Sequence, residues 1–278
     1  MAELKKTELI CGYKIIFITN EIGFLTDGNS IYKTDNSGKT WKLLKSFSNN
    51  RLRLGISNKN IYFINNKVGH CIIDTNTLVE TTDGGKNWNN LLTVPYYKRK
   101  IIAFHFVEES TGFIAIKTSN HKSKIYEIKN KDKILIATNN FIPSSMYFIN
   151  ENLGWIVGGN KILKLIKKES KWKKEYKYKI NSNKNFDFIY FTDEKNGYIM
   201  DSSDRLFNSN DGGDTWEEIK IENKYKNYFN YNNSINSVNS FYNYDQKIHD
   251  IRRIKIFNCK NYKIVQSNQS SFIYEELE

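Results

Sequence analysis

The sequence predicts an all-β fold, a six-bladed β-propeller, and three observations carry that prediction. A turn motif recurs, a Phe–Gly pair recurs with a nearly constant period, and short strand-like runs fill each period. The motif reads Ser/Thr-x-Asp/Asn-x-Gly-x-Thr/Asn-Trp and stands at Thr34–Trp41, Thr81–Trp88 and Ser209–Trp216. Trp41 and Trp88 are 47 residues apart, and Trp88 and Trp216 are 128 apart. The longer interval holds about three further units of a propeller-like period. Trp172 falls 44 residues before Trp216 and marks a copy whose turn residues are lost. Gly23, Gly69, Gly112, Gly154 and Gly197 follow one another at steps of 46, 43, 42 and 43 residues. Six residues before each stands a Phe: Phe17, Phe63, Phe106, Phe148 and Phe191.

In the first unit, Lys14–Thr19, Gly23–Thr26, Ser30–Thr34 and Thr40–Lys45 read as four strands. They are β-branched and aromatic runs bounded by Gly, Asn, Asp and Ser. The same cycle is read over Asn60–Leu92, Ile101–Ala137, Ser144–Tyr176 and Asn185–Lys220. A sixth unit has three strands, Arg252–Phe257, Tyr262–Ser267 and Ser271–Glu276. Leu4–Ile10 precedes the first unit and is expected to supply the missing outer strand of the last blade. Such closure removes the open edges of a sheet. Seven blades are the alternative, if the Asn-rich stretch hides one. Residues 1–278 thus read as a single propeller domain, with an Asn/Tyr-rich insertion at about 221–246.

The recurring motif has the chemistry of a tight turn. Asn36, Asp83 and Asp211 can accept hydrogen bonds from amides of their own turn, and Gly38, Gly85 and Gly213 supply a positive φ. Trp41, Trp88 and Trp216 then bury large rings between neighbouring blades. These residues are read as structural, because turn carboxylates spread over separate blades do not converge on a catalytic or metal centre.

The motif resembles the Asp-box, or bacterial neuraminidase repeat. The wider unit is similar to the photosystem II stability/assembly factor-like propellers. It is seen at Asn152-Leu153-Gly154-Trp155-Ile156-Val157-Gly158 and at Asn196-Gly197-Tyr198 leading to the box at Ser209–Trp216. The likeness extends over nearly the whole chain, although the third, fourth and sixth units lack a good box. It implies a non-catalytic scaffold that binds a protein or pigment–protein partner. Asp-boxes also occur in sialidases, sorting receptors and glucanases.

Composition narrows the partner. The chain has 278 residues, 42 basic and 30 acidic side chains, and a net charge of +12. Only six basic residues are Arg, within a mixture rich in Lys, Asn, Ile and Tyr such as an AT-rich genome produces. The positive balance is therefore not read as specific nucleic-acid binding. No run approaches the roughly 18 apolar residues of a membrane span. No apolar stretch of signal-peptide length opens the chain. It reads as cytoplasmic, and a mature exported form without its signal would read the same. Cys11, Cys71 and Cys259 have no metal or redox spacing, and the four histidines fall at unrelated phases, so neither cofactor nor metal is expected. A monomer is expected.

The arginines point to a surface. In a propeller the connections between blades and between the second and third strands emerge on one face. Arg51, Arg53, Arg99, Arg205, Arg252 and Arg253 all map there, with Tyr96 and Tyr97 beside Arg99. Guanidinium groups suit bidentate recognition of carboxylate or phosphate. The reading is a binding scaffold with an Arg/Tyr-lined face for an acidic protein or ligand. The alternative is a sialidase-like glycoside hydrolase. That likeness implies three convergent arginines, a Tyr–Glu pair and an acid/base Asp. No Arg-Ile-Pro element precedes the first blade, where Gly12-Tyr13-Lys14 stands.

Overall fold

A computed structural model describes residues 3–4, 14–19, 21–26, 30–37, 40–46, 61–73, 75–95, 100–119, 121–177, 180, 184–203, 205–219, 255–259, 262–266 and 271–275. All regular structure among them is β. The first sheet contains β1 (Glu3–Leu4), β2 (Lys14–Phe17), β3 (Gly23–Thr26), β4 (Ser30–Thr34) and β5 (Trp41–Ser46). The second has β6 (Ile61–Phe63), β7 (Gly69–Ile73), β8 (Thr77–Thr81) and β9 (Asn89–Thr93). The third has β10 (Lys100–Phe106), β11 (Thr111–Ser119), β12 (Lys122–Lys129) and β13 (Asp132–Asn139). The fourth has β14 (Ser145–Asn150), β15 (Leu153–Gly158), β16 (Lys161–Lys168) and β17 (Lys171–Lys177), and the fifth β18 (Phe186–Phe191), β19 (Gly197–Asp201), β20 (Leu206–Ser209) and β21 (Glu217–Ile219). A last sheet holds β22 (Lys255–Cys259), β23 (Tyr262–Gln266) and β24 (Ser271–Glu275). The strand pairs among the described residues are antiparallel, and within each sheet the strands of a blade follow one another in sequence order. No helix among the described residues is long and apolar enough to cross a membrane.

The expected number of blades is corrected. The structure is a five-bladed β-propeller, not six- or seven-bladed. Five sheets hold the four strands of a blade, whereas β22–β24 form a sheet of three. The N-terminal strand does not complete that sheet. β1 instead pairs with the outer strand of the first blade, with Glu3 across from Lys42 and Leu4 across from Trp41. This edge lies 37 residues from Leu4, whereas β24 lies more than 260 residues away. Loop-closure entropy favours the nearer edge by roughly 2 kcal/mol. Most of the Leu4–Ile10 expectation, and the whole 221–246 insertion, lie outside the described residues.

The chain divides into two compact units, residues 1–74, 78–90 and 222–278, and residues 75–77 and 91–221. Inside each, the Phe–Gly repeat has one explanation. The first-strand Phe lies flat over the Gly of its own blade. At Gly154 a Cβ would stand 2.2 Å from the Phe148 ring, and the same clash recurs at Gly69, Gly112 and Gly197. The ring's other face stacks on an aromatic of the preceding blade: Phe63 on Phe24, Phe148 on Phe113 and Phe191 on Trp155, each at 3.5 Å between centroids. The fourth-strand Trp meets the same Phe edge-on. Trp88, Trp172 and Trp216 do so at 5.9, 6.1 and 5.8 Å. The edge-on Trp contacts suit the ring quadrupoles, and the face-to-face pairs bury large apolar surface between blades. Trp172, whose box is lost, therefore keeps the packing place of its counterparts.

The third and fourth blades close their last hairpin without a box. Two residues suffice in each, Asn130-Lys131 with φ of 51° and 73°, and Glu169-Ser170 with 49° and 64°. Positive φ at both positions is the type I′ turn, whose twist matches that of the flanking strands.

Candidate functional site

The box residues are committed to their own turns. Asp83 Oδ1 accepts the N–H groups of Lys86 and Asn87 at 3.0 and 2.9 Å and the Thr81 hydroxyl at 2.9 Å, while Oδ2 accepts Asn87 Nδ2 at 2.7 Å. Asp211 repeats this with Asp214 N, Thr215 N, the Ser209 hydroxyl and the Thr215 hydroxyl. Asn36 does it without charge, accepting Thr40 N at 3.0 Å and donating Nδ2 to the Thr40 hydroxyl at 2.9 Å. Gly85 and Gly213 sit at φ of 91° and 86°, in the left-handed region. Their N–H groups donate to Thr81 and Ser209, and their carbonyls accept the Trp88 and Trp216 indoles at 3.0 and 3.1 Å. Trp41 is buried. Gly38 lies outside the described residues.

These bonds hold carboxylates ionised. Asp83 sits at about 2 against an ordinary 3.8, chiefly through the Asn87 N–H. Asp193 is lowered to about 2 by the Asn196 side chain first and then by the backbone of Asn196 and Lys195. For Asp211 burial pulls upward, but the Thr215 and Ser209 bonds outweigh it and leave the group at about 2. A folded pKa below the unfolded one stabilises above the unfolded value, and this is lost as pH falls from about 4 towards 2. Asp211→Asn reproduces the uncharged Asn36–Thr40 pairing and should fold. Its unfolding midpoint should change less between pH 4 and 2 than that of the wild type. An unchanged acid profile in denaturant melts would show that the box carboxylate does not carry this dependence.

Of the face residues expected to bind a partner, the described part of the chain contains Arg205. Arg51, Arg53, Tyr96, Tyr97, Arg99, Arg252 and Arg253 lie outside it. Arg205 stands in the turn between β19 and β20. Its Nε donates to Asp201 Oδ2 at 2.9 Å, and its Nη2 lies 2.8 Å from the same oxygen. Asp201 is fully buried and also accepts the N–H groups of Ser203 and Arg205. The guanidinium lies over the Phe207 ring at 5.4 Å, with Glu218 at 3.8 Å. Arg205 therefore already holds a carboxylate of its own blade. Asp201 had no distinguishing context in sequence, and only the hairpin register brings it beneath the arginine.

Another cluster was not legible in sequence. Glu127, 2% exposed, accepts Lys167 Nζ at 3.0 and 3.2 Å and the Trp172 indole at 3.2 Å. It joins the third and fourth blades where a box would otherwise receive the indole. His105 is buried, and burial lowers it to about 4. Its Nδ1 accepts the Phe148 N–H at 3.3 Å, which fixes an unprotonated Nδ1. His70 is also lowered by burial, against the raising effect of Glu80 at 3.4 Å. Among the described residues no group of three or more His, Cys, Asp or Glu side chains is placed to hold a metal ion.

Comparisons with known proteins agree with the repeat. Residues 123–226 and 165–245 match the family model described as the photosynthesis system II assembly factor YCF48. The chain is a β-propeller like those assembly factors, with their repeat. No curated protein matches it. The solved structure of YCF48 bound to a D1 peptide is similar at 13% identity and a TM-score of 0.46, covering 100% of this chain and 97% of that one. YCF48 from Cyanidioschyzon merolae is similar at 14% identity and a TM-score of 0.43, covering 99% and 98%. The GH74 xyloglucanase of Xanthomonas campestris is similar at 11% identity and a TM-score of 0.59, covering 98% of this chain and 46% of the enzyme. That last likeness is one of fold.

Proposed function

We propose that this assembly factor-like propeller is a non-catalytic scaffold that binds a protein partner. The match of residues 123–245 to the assembly-factor family model is the observation that carries the reading. The bonding of five described carboxylates is in keeping with it. Glycoside hydrolysis needs a pair of carboxylates free to face a substrate. Asp83, Asp193 and Asp211 are instead spent on turns, Asp201 on Arg205 and Glu127 on Lys167.

The partner we propose is acidic and docks on the connections that carry Arg51, Arg53 and Arg99, with Tyr96, Tyr97, Arg252 and Arg253. Arg205 belongs to that face as a fixed residue and not as the group that captures the partner. The test is recovery from native lysate by wild type and by an Arg51→Glu/Arg53→Glu/Arg99→Glu variant, each first shown to be folded by thermal melting. An acidic protein retained by wild type and lost by the variant is expected. Equal recovery would overturn the arginine face. Turnover of a fluorogenic sialoside or of xyloglucan by the purified chain would overturn the non-catalytic reading.

A further inference from the structure

The outer strand of the third blade is an open edge. β13 ends its sheet and pairs with β12 alone among the described strands. One row of its main-chain N–H and C=O groups therefore faces no described strand, and such a row is a template for another chain. At eight residues it is longer than β5, β9, β17 or β21, the corresponding strands of the other blades. It also carries Ile134 and Leu135, which are 51% and 49% exposed. Consecutive strand residues point to opposite faces, so a strand laid along β13 would cover both side chains.

Charge decides the kind of strand. Residues 121–177 contain 13 lysines against five acidic residues, a surplus of eight out of the chain's net +12. Lys131, exposed at φ 73°, is presented at the tip of the β12–β13 turn, and exposed Lys133 adjoins Ile134. Lys174 reaches from β17 to the Thr138 carbonyl at 3.0 Å, at the far end of the strand, leaving residues 132–135 as the uncapped stretch. The first blade shows the event in miniature: its outer strand receives β1, with a glutamate across from Lys42 and the following leucine across from Trp41. A second copy of this chain would bring the same surplus of positive charge against itself, which opposes association.

We propose that β13 is a strand-addition site for an extended segment of a partner protein, two adjacent apolar residues flanked by acidic ones. The apolar pair lies against Ile134 and Leu135, and an acidic residue lies across from Lys133. The proposal does not depend on the arginine-bearing connections.

The experiment titrates the full chain with a fluorescent synthetic peptide, Gly-Ser-Glu-Glu-Val-Leu-Glu-Glu-Gly, and with the same peptide N-methylated at alternate residues. Saturable binding of the first is expected, weaker by about tenfold or more for the second, since main-chain bonds supply affinity in strand addition. A folded Ile134→Thr/Leu135→Thr variant should lose binding similarly, while Arg51→Glu/Arg53→Glu/Arg99→Glu should retain it. The amides of β13 should gain hydrogen-exchange protection on adding peptide. Equal affinity for the two peptides would reduce the effect to charge and overturn the proposal. So would undiminished binding by the threonine variant, or a wild-type dimer in sedimentation that the threonine variant abolishes.

Discussion

Gly154→Ala is expected to destabilise the chain by about 3 kcal/mol, the upper range for overpacking a core. The added methyl would stand 2.2 to 2.5 Å from three atoms of the Phe148 ring. That ring cannot retreat, because its other face stacks on Phe113 at 3.5 Å with an interplanar angle of 7°. Phe113, Phe148 and Trp155 are all at most 1% exposed, so no solvent-facing space takes up the displacement. Gly159→Ala is the control. It has positive φ but open space around its Cβ, so it should cost only the left-handed strain of about 1 kcal/mol. Urea melts of the two variants should separate steric from conformational cost. Phe148→Leu should recover part of the Gly154→Ala loss, because contacting residues are not additive. Equal destabilisation by the two alanines would mean that the Phe–Gly contact is not what conserves spacing within the repeat.

The same contact explains what the sequence disclosed. A ring that must lie flat on a backbone demands Gly at one offset, so Phe and Gly recur in phase and announce the blade. The box discloses itself for a similar reason: Ser/Thr, Asp and Gly at 81, 83 and 85 satisfy one another over five residues. These are local constraints, and the boundaries of β3 and β4 emerged unchanged. Closure was not local. β1 has two candidate edges, β5 and β24, and nothing in Glu3-Leu4 ranks them; the pairing is set by chain separation and by which edge is free. The expectation of six blades failed on that choice. The Arg205–Asp201 bond was hidden for another reason. An arginine four residues from an aspartate across a turn reads as two exposed charges until the strands on either side fold Asp201 inward. Lysines were harder still to weigh, because composition alone accounts for their number but not for their concentration between 121 and 177.

Lys167→Met is the companion prediction, with an expected loss of about 3 kcal/mol. Removing one member of a buried pair leaves the other charge without compensation, and the usual cost is about 3–5 kcal/mol. The Glu127 side chain is 3% exposed and that of Lys167 20%, which places this pair at the lower end of that range. After the substitution the carboxylate would keep the Trp172 indole at 3.2 Å, a neutral donor that cannot offset a full charge. Glu127→Gln/Lys167→Met should regain most of the loss and lie within about 1 kcal/mol of wild type, because the amide oxygen still accepts the indole and no charge remains buried. A double-mutant cycle in denaturant reads the coupling directly. Additive effects of the two substitutions would mean that the ion pair is incidental. Strong coupling would show that the fourth blade, lacking its box, is anchored by a carboxylate borrowed from the third, so that Trp172 holds its place by charge where Trp88 and Trp216 hold theirs by a glycine carbonyl.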